Sequence, residues 1–219
     1  STGDELIAPG EQMEMGKVYD SNSTVIAHAV EELGCEAVRF GIVPDDEAQL
    51  EAVLRQALEL DFVLLSGGTS KGEGDLNYRV FEKFNDPGVL VHGVSLKPGK
   101  PLCLAVLEGT PAAILPGFPT SSTFTFSKFI APVLRKLAGL APERSVHVQA
   151  KIPLRLNSDK GRTEFNLVHL VRNEDGFSAY STGKGSGSIT GFARADGFME
   201  ISRNTEMLEA GEETTIHLL

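Results

Sequence analysis

The chain has 219 residues, 41% hydrophobic and 23% charged, with 30 acidic against 20 basic side chains and a formal charge of −10. This composition predicts a soluble globular chain of one large domain, or of a medium domain plus a small one, and excludes disorder throughout. The acidic excess disfavours a broad surface for nucleic acid or an anionic membrane face, so any anionic ligand has to be held locally.

Between 21 and 34 the apolar residues Ile26, Ala29, Val30 and Leu33 recur at i, i+3, i+4 and i+7. That spacing predicts a helix with Ser21 or Ser23 as N-cap and Gly34 as its stop. Residues 36–43 read as a strand. Asp45 or Asp46 opens a second helix, with an apolar stripe of Leu50, Val53, Leu54, Ala57 and Leu58, and Asp46 with Gln49 makes a weak capping box. The apolar run 62–65, bounded by Gly67 and Gly68, predicts a strand buried on both faces. A helix over 76–84 follows, then strands at 89–96, 102–107 and 112–115 and a helix over 121–137. Strands alternating with helices predict an α/β sandwich around a largely parallel sheet.

After Gly139 the period changes: Val146, Val148, Ala150, Ile152, Leu154 and Leu156 alternate strictly, as do Phe165, Leu167, His169 and Val171. Further short strands are expected at 198–201 and 214–218, so 142–219 reads as a small all-β module beginning after Ala141-Pro142. No apolar run approaches the roughly 18–20 residues of a membrane helix, and residues 1–9 lack the basic flank and apolar core of a signal peptide, which together read as cytoplasmic. Cys35 and Cys103 form no CxxC pair and read as buried fillers.

Four segments carry chemistry. The loop from Ser66 through Gly67, Gly68, Thr69, Ser70 and Lys71 to Asp75 follows a buried strand, and its glycines would let backbone N–H groups approach a phosphate, with Asp75 placed to hold Mg²⁺. It is neither a Walker loop nor a dinucleotide fingerprint, and the bland alternative is a βα turn. Lys97-Pro98-Gly99-Lys100-Pro101 sets two ammonium groups on one turn, which suits a compact oxyanion if it is more than a solvated turn. Pro116-Gly117-Phe118-Pro119-Thr120-Ser121-Ser122 opens a helix and reads equally as an anion site or an ordinary cap. Arg162 in the β module, with a serine of the stretch 183–188, would complete an oxyanion cage. The pairs Asp4-Glu5 and Asp45-Asp46 can serve as metal ligands or caps, with capping the better expectation for Asp45 and Asp46. The five histidines show no metal-ligand spacing.

In order, Thr2-Gly3-Asp4-Glu5-Leu6, Tyr19-Asp20-Ser21-Asn22, Gly41-Ile42-Val43-Pro44-Asp45-Asp46, the 66–75 loop, Lys97-Pro98-Gly99-Lys100-Pro101 and the 116–121 turn resemble the molybdopterin molybdenumtransferase family, the MoeA and gephyrin E-domain group. The resemblance covers essentially the whole chain. It implies a three-layer α/β/α molybdopterin-binding domain with a mostly parallel sheet over 1–141 and a barrel-like β domain over 142–219. The implied activity is insertion of molybdate into adenylylated molybdopterin with release of AMP, assisted by Mg²⁺, in a cytoplasmic homodimer.

Carried over by position, Gly67, Gly68, Thr69, Ser70, Pro116, Gly117, Thr120 and Ser121 would contact the pterin's phosphate or nucleotide. Asp75 stands where the family has its essential acid, with Asp46 and Glu5 as further acidic groups and Asp75 and Asp46 as metal ligands. Lys97, Lys100, Arg162 and Ser186 or Ser188 match the groups associated with molybdate. Phe118 departs from the common Pro-Gly-Asn-Pro form, where Asn stands. The family carries two more domains before the Thr-Gly-Asp-Glu motif, so the resemblance implies the C-terminal portion of a longer protein. A molybdopterin adenylyltransferase and a gephyrin-like scaffold are the competing functions.

Overall fold

The computed structural model describes residues 1–67, 75–143, 145–183, 187 and 189–219. In chain order its elements are β1 (Leu6–Ile7), β2 (Val18–Tyr19), α1 (Ser21–Glu32), α2 (Glu47–Ala57), β3 (Val63–Ser66), α3 (Leu76–Phe81), β4 (Gly88–His92), β5 (Leu96–Lys97), β6 (Cys103–Leu107), β7 (Thr110–Leu115), α4 (Pro119–Thr125) and α5 (Ala131–Leu137). There follow β8 (His147–Lys151), β9 (Leu156–Asn157), β10 (Thr163–Asn173), β11 (Gly176–Ser181), α6 (Ile189–Ala193), β12 (Gly197–Ile201), β13 (Met207–Leu208) and β14 (Glu213–Leu218). The chain divides into two units, Ser1–Val94 with Pro101–Ala141, and Ser95–Lys100 with Pro142–Leu219.

In the first unit the strands run β3-β7-β6-β4. Successive side chains on a strand point to opposite faces, and that parity builds three layers. Val63, Leu65, Ala112, Ile114, Cys103 and Ala105 pack with Leu50 and Leu54 of α2 and Val80 and Phe81 of α3. The intervening Ala113 and Leu115, with Leu64 and Leu104, pack with Ile26 and Val30 of α1 and with Phe126, Ile130 and Leu134. Each fully buried Leu, Ile or Phe contributes about 1.5–3 kcal/mol, so the two apolar layers are what fasten the helices to the sheet.

The sheet is mixed rather than mostly parallel. Only β3 and β7 run parallel, whereas β6 is antiparallel to both β7 and β4. The physical reason is the two-residue link Glu108-Gly109 between β6 and β7, which is long enough for a hairpin but not for a crossover. Among the described residues, 36–43 form no ladder; one bridge joins Thr2 to Val43. A strand needs a partner, and β3, which among the described residues pairs with β7 alone, borders a cavity of about 560 Å³ lined by Ala37, Val38 and Phe40 together with Val63 and Leu64.

Asp20, not Ser21 or Ser23, caps α1, accepting from the Ser23 N–H at 3.0 Å. Asp46 caps α2 by accepting from the Gln49 N–H at 2.8 Å. The expected 121–137 helix starts two residues earlier and passes through a π-helical turn at Phe126–Ile130, where the Ala131 N–H reaches back to the Phe126 carbonyl. Pro132 explains the widening, since it has no N–H to donate and its ring would crowd the carbonyl four residues back.

In the second unit the strands run β11-β8-β14-β12-β10-β5, and β11 also pairs with β10, closing a small barrel with β5 added alongside. Ala150, Ile152, Val168, Met199, Ile201 and Ile216 fill it. On β10 the barrel interior takes Val168 and Leu170, the opposite parity to the expected Phe165, Leu167, His169 and Val171 face. Phe165 instead meets Phe198 edge-on at 5.5 Å, and Phe198 stacks on His217 at 5.1 Å. That aromatic layer buries Phe165 and Phe198 as well, so the apolar alternation at 165 and 167 marks a second buried face beside the one that fills the barrel.

Candidate functional site

The parallel strands β3 and β7 end side by side, and the Gly67 N–H donates to the Leu115 carbonyl at 3.4 Å. Ligands of α/β sheets collect at the carboxyl ends of strands, where loops are free to diverge. Gly67 has φ +124°, and a Cβ there would strike the Thr2 carbonyl. Only glycine lets the first loop come this close. A Cβ on Gly117 would lie 3.6 Å from the Gly67 Cα, so the two glycine turns are in contact.

Side chains tie these turns together. The Asn22 amide donates to Ser66 Oγ at 2.9 Å and to the Gly117 carbonyl at 2.8 Å. The Asn77 amide donates to Thr2 Oγ1 at 2.8 Å and to the Gly67 carbonyl at 2.9 Å. The Thr2 N–H donates to the Ser66 carbonyl at 2.9 Å. Thr120 and Ser121 sit buried in the first turn of α4, Pro116 is buried, and Gly117 and Phe118 are exposed. Gly68, Thr69 and Ser70 lie outside the described residues, as do Ser186 and Ser188.

Asp75 is buried at the start of α3, where its Oδ1 accepts from the Asn77 N–H at 3.1 Å and the Tyr78 N–H at 3.3 Å. Burial pushes its carboxyl above the ordinary value; those two N–H groups and nearby His92 oppose the rise without cancelling it. His92 stacks on Tyr78 with ring centroids 3.9 Å apart.

The acidic loops come to the same region of the unit. The Gly3 N–H donates to the Val43 carbonyl at 3.3 Å, and the Asp45 N–H donates to Asp4 Oδ1 at 3.1 Å. Gly3, at φ +145°, leaves the space of a Cβ to the Glu5 carboxylate, which folds back over it. Glu5 and Asp46 are both exposed. Among the described residues, no three carboxylate, His or Cys side chains gather as a metal site. Asp46 and Asp75 each commit one carboxylate oxygen to a helix cap. A carboxylate with one oxygen left over has the chemistry of a ligand for a hard cation such as Mg²⁺, which takes one or two protein carboxylates and completes its shell with water and substrate phosphate.

The lysine turn belongs to the second unit. β5 pairs in parallel with β10, setting Leu96 opposite Thr163 and Lys97 opposite Glu164. The segment carrying Lys97 and Lys100 therefore joins the sheet next to Arg162 rather than staying with the α/β unit. Lys97 Nζ lies 2.7 Å from Asp159 Oδ2 and 3.3 Å from Glu164 Oε2. Partial burial would lower the Lys97 ammonium, but the Asp159 hydrogen bond and the Glu164 charge outweigh it and hold it above the ordinary value. Lys100 and Arg162 are exposed.

Asn77 had no sequence signal, and Asn22 stood inside a quoted motif without a role. A buried amide is recognised only by what it touches, and the partners of these two lie 44 to 95 and 10 to 75 residues away.

Residues 1–136 match the family described as probable molybdopterin binding domain, and residues 149–219 match the MoeA C-terminal region, domain IV. A molybdopterin molybdenumtransferase of Haemophilus influenzae is 34% identical over all of this chain and 56% of its own length. A Mycobacterium tuberculosis protein named molybdopterin molybdenumtransferase 2 is 32% identical over 99% of this chain and 54% of its own length. The crystal structure of a molybdopterin biosynthesis MoeA protein from Pyrococcus horikoshii superposes with a TM-score of 0.83 at 35% identity, covering 99% of this chain and 52% of that one. The chain thus spans about half the length of the relatives it matches. With both family descriptions matched in order and a neighbouring structure of the same kind, the chain belongs to the molybdopterin molybdenumtransferase family, the MoeA group.

Proposed function

We propose that this chain carries the pterin-nucleotide and oxyanion sites of an enzyme that inserts molybdate into adenylylated molybdopterin and releases AMP, acting in its longer form as a cytoplasmic homodimer. The observation that carries the reading is the contact of the Gly67 and Gly117 turns at the carboxyl ends of β3 and β7, with buried Asp75 opening the helix that follows. Backbone N–H groups of the 67–70 loop and the 116–121 turn, with Thr69, Ser70, Thr120 and Ser121, bind the phosphate. Asp75 and Asp46 are the carboxylates that would hold Mg²⁺, with Glu5 as a further acidic group. Bound there, such a cation would supply neutralisation of phosphate charge.

The oxyanion is assigned to Lys100 and Arg162, with Ser186 or Ser188 donating. Lys97 belongs to this group with a different weight, because Asp159 and Glu164 already balance its charge. Its ammonium has three protons, and it contributes a donor more than a net positive field. Positioning and electrostatics then carry the reaction, with no covalent intermediate on the chain.

Isothermal titration of the folded chain with adenylylated molybdopterin, and separately with molybdate, tests the reading. Saturable binding of both is expected; a folded sample that binds neither overturns it. Lys100→Ala is expected to weaken molybdate binding and leave the nucleotide affinity nearly unchanged.

A further inference from the structure

Each of the two buried amides described above spends both N–H protons on the ligand end of the sheet. An Asn side chain has two donors. Asn22 places them on Ser66 and Gly117, and Asn77 places them on Thr2 and Gly67. Neither amide binds a partner in the apolar layers through these protons. Both are buried, Asn77 completely, and Asn77 Oδ1 has no partner among the described residues. A buried polar group left without a partner is costly, so packing alone would favour an apolar side chain here.

The four anchored groups belong to segments that meet nowhere else in sequence: the first loop, the end of β3 and the turn before α4. Because a peptide is planar, holding the Gly117 carbonyl also fixes the direction of the Phe118 N–H. Holding the Gly67 carbonyl likewise fixes how the chain leaves β3. The Thr2 N–H bond to Ser66 links the two amides, since Asn22 holds the Ser66 side chain and Asn77 holds the Thr2 side chain.

We propose that Asn22 and Asn77 are positioning residues that together set the spacing and orientation of the Gly67 and Gly117 turns for the phosphate of a pterin nucleotide. The proposal rests on the pterin-nucleotide reading given above. The two amides preorganise the loops, so the ordering cost is met on folding rather than on binding. They have no part in the oxyanion site carried by the second unit.

The test uses the full chain with Asn22→Leu and Asn77→Leu, and Asn22→Ser and Asn77→Ser should a leucine variant fail to fold. Urea unfolding establishes which variants are folded. In those, adenylylated molybdopterin is expected to bind about tenfold more weakly or worse, the penalty of losing the hydrogen bonds that hold the two turns, while molybdate affinity is unchanged. Exchange of the Gly67 amide, which is bonded to the Leu115 carbonyl, is expected to rise in both single variants, because each amide supports the other's turn. Wild-type nucleotide affinity in a folded variant, or equal weakening of both ligands, overturns the proposal. A parent chain that binds no nucleotide overturns the functional reading instead, and unchanged exchange at Gly67 would then still refute the clamp.

Discussion

Lys97 and Asp159 are bonded at 2.7 Å across 62 residues of sequence, and the same ammonium lies 3.3 Å from the almost fully buried Glu164 carboxylate. Glu164 is held a second time by the Ser158 hydroxyl at 2.9 Å. One cation thus serves two carboxylates, one of them out of reach of solvent.

Removing that cation leaves Glu164 buried and short of its counter-charge. Lys97→Ala is expected to destabilise the second unit by about 2 kcal/mol, below the roughly 3–5 kcal/mol seen for fully buried pairs because Lys97 is itself partly exposed. Lys100→Ala, on an exposed side chain, should change stability by less than about 0.5 kcal/mol. Urea denaturation of the two variants decides it, and equal midpoints would remove the structural role given to Lys97.

Asp75 is buried with its carboxyl raised above the ordinary value of 3.8. Between those two values the folded chain binds more protons than the unfolded one, so this group's contribution is full below the ordinary value and is lost as pH rises through the raised one. Asp75→Asn keeps a side-chain oxygen to cap α3 and removes the buried charge. It is expected to match or exceed the parent in stability at pH 7, lose that advantage near pH 3, and abolish molybdenum insertion. Thermal melts at both pH values, read beside activity of the full-length enzyme, check it.

Asp20 behaves in the opposite sense. Burial alone would raise it, but hydrogen bonds from Ser23 and the Ser1 hydroxyl hold it below the ordinary value. Its stabilisation is present above the ordinary value and lost as pH falls through the lowered one. Asp20→Ala should cost about 1–2 kcal/mol at pH 7 through the lost cap, and the deficit should narrow in acid. Urea unfolding at pH 7 and below pH 3 measures both.

Cys103 is buried against β7 and α3, and burial, with Asp75 and Glu82 nearby, pushes its thiol up to about 12. The thiolate is the reactive form, so Cys103 is inert in the folded chain. A thiol-specific reagent at pH 8 should modify half-buried Cys35 first and Cys103 only on unfolding. Rapid modification of two thiols in the native protein would contradict the packing of this layer.

The sequence by itself determined the class of fold and the segments of the candidate site. Apolar parity at 63–65 and 112–115 and helical spacing at 50–57 are local properties of the chain, and the Gly67, Asp75 and Gly117 turns stand out because glycine and capping residues act within a few positions. Tertiary structure alone decided what needs a distant partner. Residues 36–43 have the composition of a strand, but among the described residues they pair only through the Val43 bridge to Thr2. On β10 two apolar faces compete, and closure of the barrel selected Val168 and Leu170. The lysine turn went to the second unit because β5 found β10, and Lys97 met its carboxylates there. Asn22 and Asn77 acquired their roles the same way, since a hydrogen bond reads distance in space, and nothing in the identity of an asparagine says which carbonyl 95 residues away it will hold.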